Sequence, residues 1–193
     1  VCCGKNKFFA AVNSPDGGRI VVRELQETPF SLIQEWNIER TPYTYIESPV
    51  AGEPIVHAVS TSDRSYVIGV TESSVFRYEF ETDAVEVIGK VEGSAKLTAV
   101  SDGTVIGRGK GNSLWSCDPA KGVLTPEVMR LPEGNWDCDI VWGTDPVTGL
   151  LYTADADARL FSYSVDTGFG GALASIPYAP VTSIAVTFDG RVF

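Results

Sequence analysis

Apolar and polar positions along this chain come in short alternating runs, cut by clusters of Gly, Asp, Ser, Thr and Pro. The stretch Leu150–Gly168 (LLYTADADARLFSYSVDTG) shows the pattern whole: an apolar strand, a short acidic turn, a second alternating strand and a polar exit turn. Period-two alternation puts every other side chain on one face of a strand. Tyr66–Asp83 and Val105–Gly122 follow the same order. Apolar spacing of the helical kind does not persist beyond one turn in any window, so an all-β chain is expected.

In this register the first unit runs Phe8–Val12, Ile20–Leu25, Phe30–Ile38 and Tyr43–Ile46, with Ser14-Pro15-Asp16-Gly17-Gly18 at its first link. The second runs Ile55–Val59, Tyr66–Val70, Val75–Phe80 and Ala84–Ile88. The third is Leu97–Val100, Val105–Gly107, Ser113–Cys117 and Gly122–Leu131, and the fourth is Asp139–Trp142, Leu150–Thr153, Leu160–Val165 and Ala172–Ile176. A fifth opens at Thr182–Thr187, turns at Asp189-Gly190 and reaches Arg191-Val192-Phe193. Matching positions recur at offsets of about 38 to 47 residues, with the variation in the loops.

Four short strands repeated at this length make a propeller blade, because one such sheet cannot bury both faces alone and stacked sheets can. The expected architecture is a β-propeller of four-stranded antiparallel blades in one domain. Its units fall at about 5–50, 51–93, 94–136, 137–180 and 181–193. A two-sheet sandwich is the rival, but it has no need of the same strand and turn order four times over. Four units and the start of a fifth point to part of a larger propeller, of about six to eight blades. The remaining blades, in the parent protein or on another chain, are then the expected partners, covering the apolar faces at both ends.

Leu114-Trp115-Ser116-Cys117-Asp118-Pro119-Ala120-Lys121-Gly122 and Leu160-Phe161-Ser162-Tyr163-Ser164-Val165-Asp166-Thr167-Gly168 occupy equivalent places. They resemble the third strand and exit turn of propellers of the PQQ, SMP-30 and kelch-like groups. Asp189-Gly190-Arg191-Val192-Phe193 resembles the hairpin of the same blades. The resemblance covers nearly the whole chain and implies a blade, a scaffold shared by many unrelated activities. The kelch Gly-Gly doublet, the WD40 Gly-His and Trp-Asp pair and the tandem tryptophans of PQQ docking do not recur; Trp136-Asp137 occurs once, in a loop. No subfamily follows.

Charge narrows the partners. A formal charge of −10, with its 15 Lys and Arg scattered, argues against nucleic acid, which needs a basic face. No apolar run reaches the roughly 18–20 residues of a membrane-spanning helix. Cys2 and Cys3 are adjacent, where a mutual bridge is strained, and Cys117 and Cys138 are expected at opposite faces of the fold, which argues against a disulfide between them. One His and no CxxC pair offer no zinc pattern, and no metal ligand is assigned. No Ser/His/Asp order, phosphate loop or dinucleotide fingerprint occurs, so cofactor and compartment stay unassigned.

In an antiparallel blade the turn between second and third strands shares a face with the link to the next blade. The turns bring Glu72, Arg108, Lys110, Asn112, Asp155 and Asp157 there, and the links bring Glu53, His57, Glu92, Lys96, Asn135, Trp136, Asp137 and Tyr178. From these, His57, Glu72, Arg108, Lys110, Trp136, Asp137, Asp155, Asp157 and Tyr178 are the candidate ligand-binding residues. Aromatic faces stack on sugar rings, and Arg and carboxylates bond their hydroxyls. An imidazole such as His57 can act as general base. Asp155 and Asp157 have oxygen ligands for calcium but lack the DxDxDG spacing. Two functions are compatible with this set. One is a binding or scaffold module recognising a protein or glycan. The other is a carbohydrate-active lyase or hydrolase, or a metal-dependent lactonase of the SMP-30 type, with its site at the channel mouth. Polar loops are equally the property of any soluble protein, and no catalytic residue is assigned.

Overall fold

The computed structural model describes residues 2–4, 7–24, 44–91, 97–99, 103–164 and 166–193. The strand expected at Phe30–Ile38 lies outside the described residues, as do Glu92, Lys96 and Val165. The described residues contain strands, turns and bends and no helix. The first sheet comprises β1 (Cys2–Cys3), β2 (Lys7–Ser14), β3 (Gly17–Glu24) and β4 (Thr44–Glu47). The second has β5 (His57–Ser60), β6 (Tyr66–Val70), β7 (Ser74–Glu79) and β8 (Val85–Lys90). β9 (Leu97–Ala99), β10 (Val105–Arg108), β11 (Ser113–Asp118) and β12 (Val123–Arg130) form the third. The fourth is made of β13 (Val141–Thr144), β14 (Leu151–Ala154), β15 (Arg159–Ser164) and β16 (Gly168–Ser175). Each sheet is an antiparallel meander in chain order.

One strand assignment shifts. Phe8–Val12 lies in β2, the second strand of its sheet, and the Ser14–Gly18 turn closes the β2–β3 hairpin, pairing Ser14 with Gly17 and Asn13 with Gly18. The strand before it is β1, two residues long.

Three separate cores show why four such sheets belong together. The first lies between the first and second sheets and holds Phe9, Ile20, Val22, Val67, Phe76 and Tyr78. Between the second and third sit Ile68, Val70, Val75, Val105, Trp115 and Cys117. Ile106, Leu114, Leu151, Phe161 and Tyr163 fill the gap between the third and fourth. Neighbours in sequence thus point to different cores: Val67 to the first and Ile68 to the second, Trp115 to the second and Leu114 to the third. Each middle sheet is buried on both faces, whereas a sandwich sheet buries one.

The glycines of the second strands make room for large rings. A Cβ on Gly69 would stand 2.2 Å from the Phe76 ring, and one on Gly107 would stand 2.2 Å from the Trp115 indole. Their registers are equivalent, Gly69 opposite Phe76 and Gly107 opposite Trp115. The fourth sheet has Thr153 opposite Phe161 at the same place.

The innermost strands β1, β5, β9 and β13 lie side by side in that order. Ile184 packs against Gly143 of β13, continuing the series, and Val186 bridges to Val192 in a fifth hairpin. That hairpin repeats the turn of the second sheet. Thr61 Oγ1 donates to Asp63 and accepts from Tyr66 N at 3.2 Å, and Thr187 Oγ1 does the same with Asp189 and Arg191 N.

Candidate functional site

Three loops meet on one face: the β10–β11 turn, the β12–β13 link and the β14–β15 turn. Arg108, the last residue of β10, donates from Nε to Gly111 O (3.1 Å), from Nη1 to Cys138 O (3.0 Å) and from Nη2 to Trp136 O (2.9 Å). One planar fork thereby holds its own turn and the neighbouring link. Trp136 turns inward, is buried, and rests on Phe161 with ring centroids 5.4 Å apart; its indole donates to Pro132 O at 2.8 Å.

Asp155 completes the junction. Its side chain is fully buried, and its oxygens accept from the backbone N of Asn135 (3.2 Å), Asp157 (3.1 Å) and Arg159 (2.8 Å). Arg159 adds Nε at 2.8 Å and Nη2 at 2.7 Å. Burial acts to raise the Asp155 pKa, but the Arg159 backbone and guanidinium and the Asn135 amide outweigh it and hold the carboxyl below the usual range. Arg159 therefore pairs with Asp155, and Asp157 stands 3.9 Å from it. Exposed Asp157 accepts instead from Asn135 Nδ2 at 2.9 Å. Asp137 is exposed in the same link.

Six of the nine candidates thus adjoin here: Arg108, Lys110, Trp136, Asp137, Asp155 and Asp157. Lys110 is exposed in the β10–β11 turn of the same junction. The others lie elsewhere. His57 opens β5, and its Nδ1 accepts from Leu97 N at 3.1 Å, joining the innermost strands of the second and third sheets. Glu72 is exposed in the β6–β7 turn. That turn is held by Glu53, which accepts from Ser73 Oγ (2.7 Å) and Ser73 N (3.1 Å). Hydrogen bonds from Thr71 and then Ser73 keep the Glu53 carboxyl below its ordinary pKa. Tyr178 follows β16 and is 81% exposed.

Cys117 and Cys138 are both free thiols. Burial, with Asp118 adding to it against Arg77, pushes Cys117 up to about 12. Cys138 is also raised, by burial first and then against Arg108 by Asp155, Asp139 and Asp137. Sequence reasoning passed over the opposite face. Two cavities open there around Tyr66, signalled in the sequence only by a turn whose charges, Asp63 and Arg64, stand side by side.

No protein-family model matches the chain, and no curated protein does. Among solved structures, the WD40 domain of Toxoplasma gondii coronin superposes with a TM-score of 0.69 at 12% identity, covering 99% of this chain and 50% of that one. The fold is a β-propeller. A second neighbour, the Dos1 propeller, superposes with a TM-score of 0.61 at 12% identity over 94% of this chain and 49% of that one. The chain spans about half the length of each of these propellers. At this identity the likeness carries the fold alone, and it arises without a recurring Trp-Asp pair.

Proposed function

We propose that this propeller is a protein-binding scaffold module whose partner meets the loops of the Arg108–Asp155 face. The observation that carries the reading is the engagement of that face's polar groups in holding its loops. Arg108 serves three carbonyls, Asp155 receives five donor contacts, and Trp136 belongs to the core. Loops fixed in advance lose little conformational freedom on docking, which favours recognition of a macromolecular surface. The side chains left outward, Glu72, Lys110, Asp137, Asp157 and Tyr178, are the contacts a partner meets. The same reading assigns the blades to the neighbourhood of the PQQ, SMP-30 and kelch-like groups, on the strength of Leu114–Gly122 and Leu160–Gly168.

The test is binding of the immobilised chain to arrays of peptides and of glycans, with glycosides and lactones assayed in parallel for turnover. Saturable peptide binding, lost in the triple variant Asp137→Lys, Asp157→Lys and Tyr178→Ala at unchanged melting temperature, is expected. Binding confined to glycans would replace protein with sugar as the ligand, and turnover of either substrate would overturn the scaffold reading.

A further inference from the structure

The innermost strands of the second and third sheets, β5 and β9, are neighbours. A side chain carries one hydrogen bond across their seam. Leu97 N, at the start of β9, donates to Nδ1 of His57, at the start of β5, at 3.1 Å. Leu97 is itself buried in the core that the two sheets share, with Ile68 and Val70. The bond therefore ties down the point where the chain enters the third blade.

A ring nitrogen accepts only while it carries no proton. Neutral imidazole has one donor and one acceptor nitrogen, and imidazolium has two donors. The Leu97 amide thus selects the neutral ring with its proton on Nε2. Protonation would aim a second N–H at the Leu97 N–H, and two donors cannot bond each other. Imidazole is the side chain whose ordinary titration, at about pH 6.5, falls between about pH 5 and 8. This chain has one His. The shifted groups described above move out of that window, Glu53 and Asp155 downward and Cys117 and Cys138 upward. β5 packs against β6, β9 and β1. β6 places Val70 opposite His57 and holds its titratable residue, Tyr66, at its other end. β9 (Leu-Thr-Ala) has no titratable side chain, and β1 consists of Cys2 and Cys3. In the flanking loops Glu53 is bonded to Ser73 and Glu72 is exposed, and Glu92 and Lys96 lie outside the described residues.

We propose that His57 is a pH-sensitive tie between the second and third blades, closed on the Leu97 amide while the imidazole is neutral and released when it is protonated. The sign follows from the bonded form: the tie is present above the imidazole titration and is lost as pH falls through it. Release frees the start of β9, while the shared core of Ile68, Val70, Val105 and Trp115 keeps the two blades packed. Mild acid therefore loosens one blade seam without unfolding the chain. The tie rests on this seam and is independent of the loops of the proposed scaffold surface.

Amide exchange of Leu97 in the ¹⁵N-labelled chain, expressed as protection relative to an unstructured amide at the same pH, tests it. Protection should fall about tenfold between about pH 7.5 and pH 5, along the same curve as the His57 ring protons. Gly109 and Ile176, whose amides donate to backbone carbonyls, should keep theirs. Long-range ¹H–¹⁵N spectra at the higher pH should show Nδ1 without a proton. His57→Asn, which offers an oxygen acceptor that does not titrate, should hold Leu97 protected at both pH values, and His57→Phe should leave it fast at both. Leu97 protection that stays constant with pH in the parent chain, a neutral ring with its proton on Nδ1, or pH dependence that persists in either variant would overturn the proposal.

Discussion

Asp155 carries more of the local structure than any other polar side chain described. Its carboxylate ties Asn135 in one blade-to-blade link to Asp157 in the β14–β15 turn of the next blade and to Arg159 at the start of β15. Replacing it with Ala leaves these donors without their acceptor and Arg159 without its ion-pair partner, at a cost of about 3 kcal/mol. Urea unfolding of Asp155→Ala against the parent measures it. The pH dependence has a defined sign. The folded-state pKa is depressed, so the stabilisation is fully present above the unfolded value of about 4 and is lost as pH falls through the folded value. The urea midpoint of Asp155→Asn should therefore fall less steeply below about pH 4 than that of the parent. Cys117 offers a second residue-scale check: buried and pushed up to about 12, it should resist maleimide at pH 8 in the folded chain and react fully in urea, read by peptide mass mapping.

Within a blade, the ring-over-glycine pairs join sequence to packing. Gly69→Ala or Gly107→Ala would drive a methyl group into Phe76 or Trp115 and should cost about 2–3 kcal/mol, measurable by thermal or urea unfolding. Strand placement was largely legible because alternation survives wherever a sheet has a core face. Val67-Ile68 and Val105-Ile106 are apolar at consecutive positions for the further reason that both faces are buried. The first sheet slipped by one strand because Pro-Asp-Gly-Gly is good hairpin chemistry at any link, and two-residue β1 is too short to leave an apolar run. At the candidate site, residue types and loop membership were readable and roles were not. Arg108 and His57 bond backbone groups, whose partners carry no residue-type signature. Trp136 looks like a loop residue in sequence and is buried because the link folds over Phe161.

At the scale of the molecule, four sheets with three shared cores and a fifth hairpin on β13 make a propeller arc whose two faces differ. One face is a set of loops locked together across blades, and the other opens into cavities around Tyr66. The central claim is that the chemistry-bearing residues of the locked face act as scaffold. Amide hydrogen exchange of the ¹⁵N-labelled chain, followed by NMR, tests it most directly. The amides of Asn135, Asp157 and Arg159 lie in or beside loops, yet should exchange as slowly as those of the flanking strands. In Asp155→Ala all three should become fast, while Leu97, bonded to His57, stays slow. If the three amides exchange at free-loop rates in the parent chain, the face is not locked and the scaffold account is contradicted.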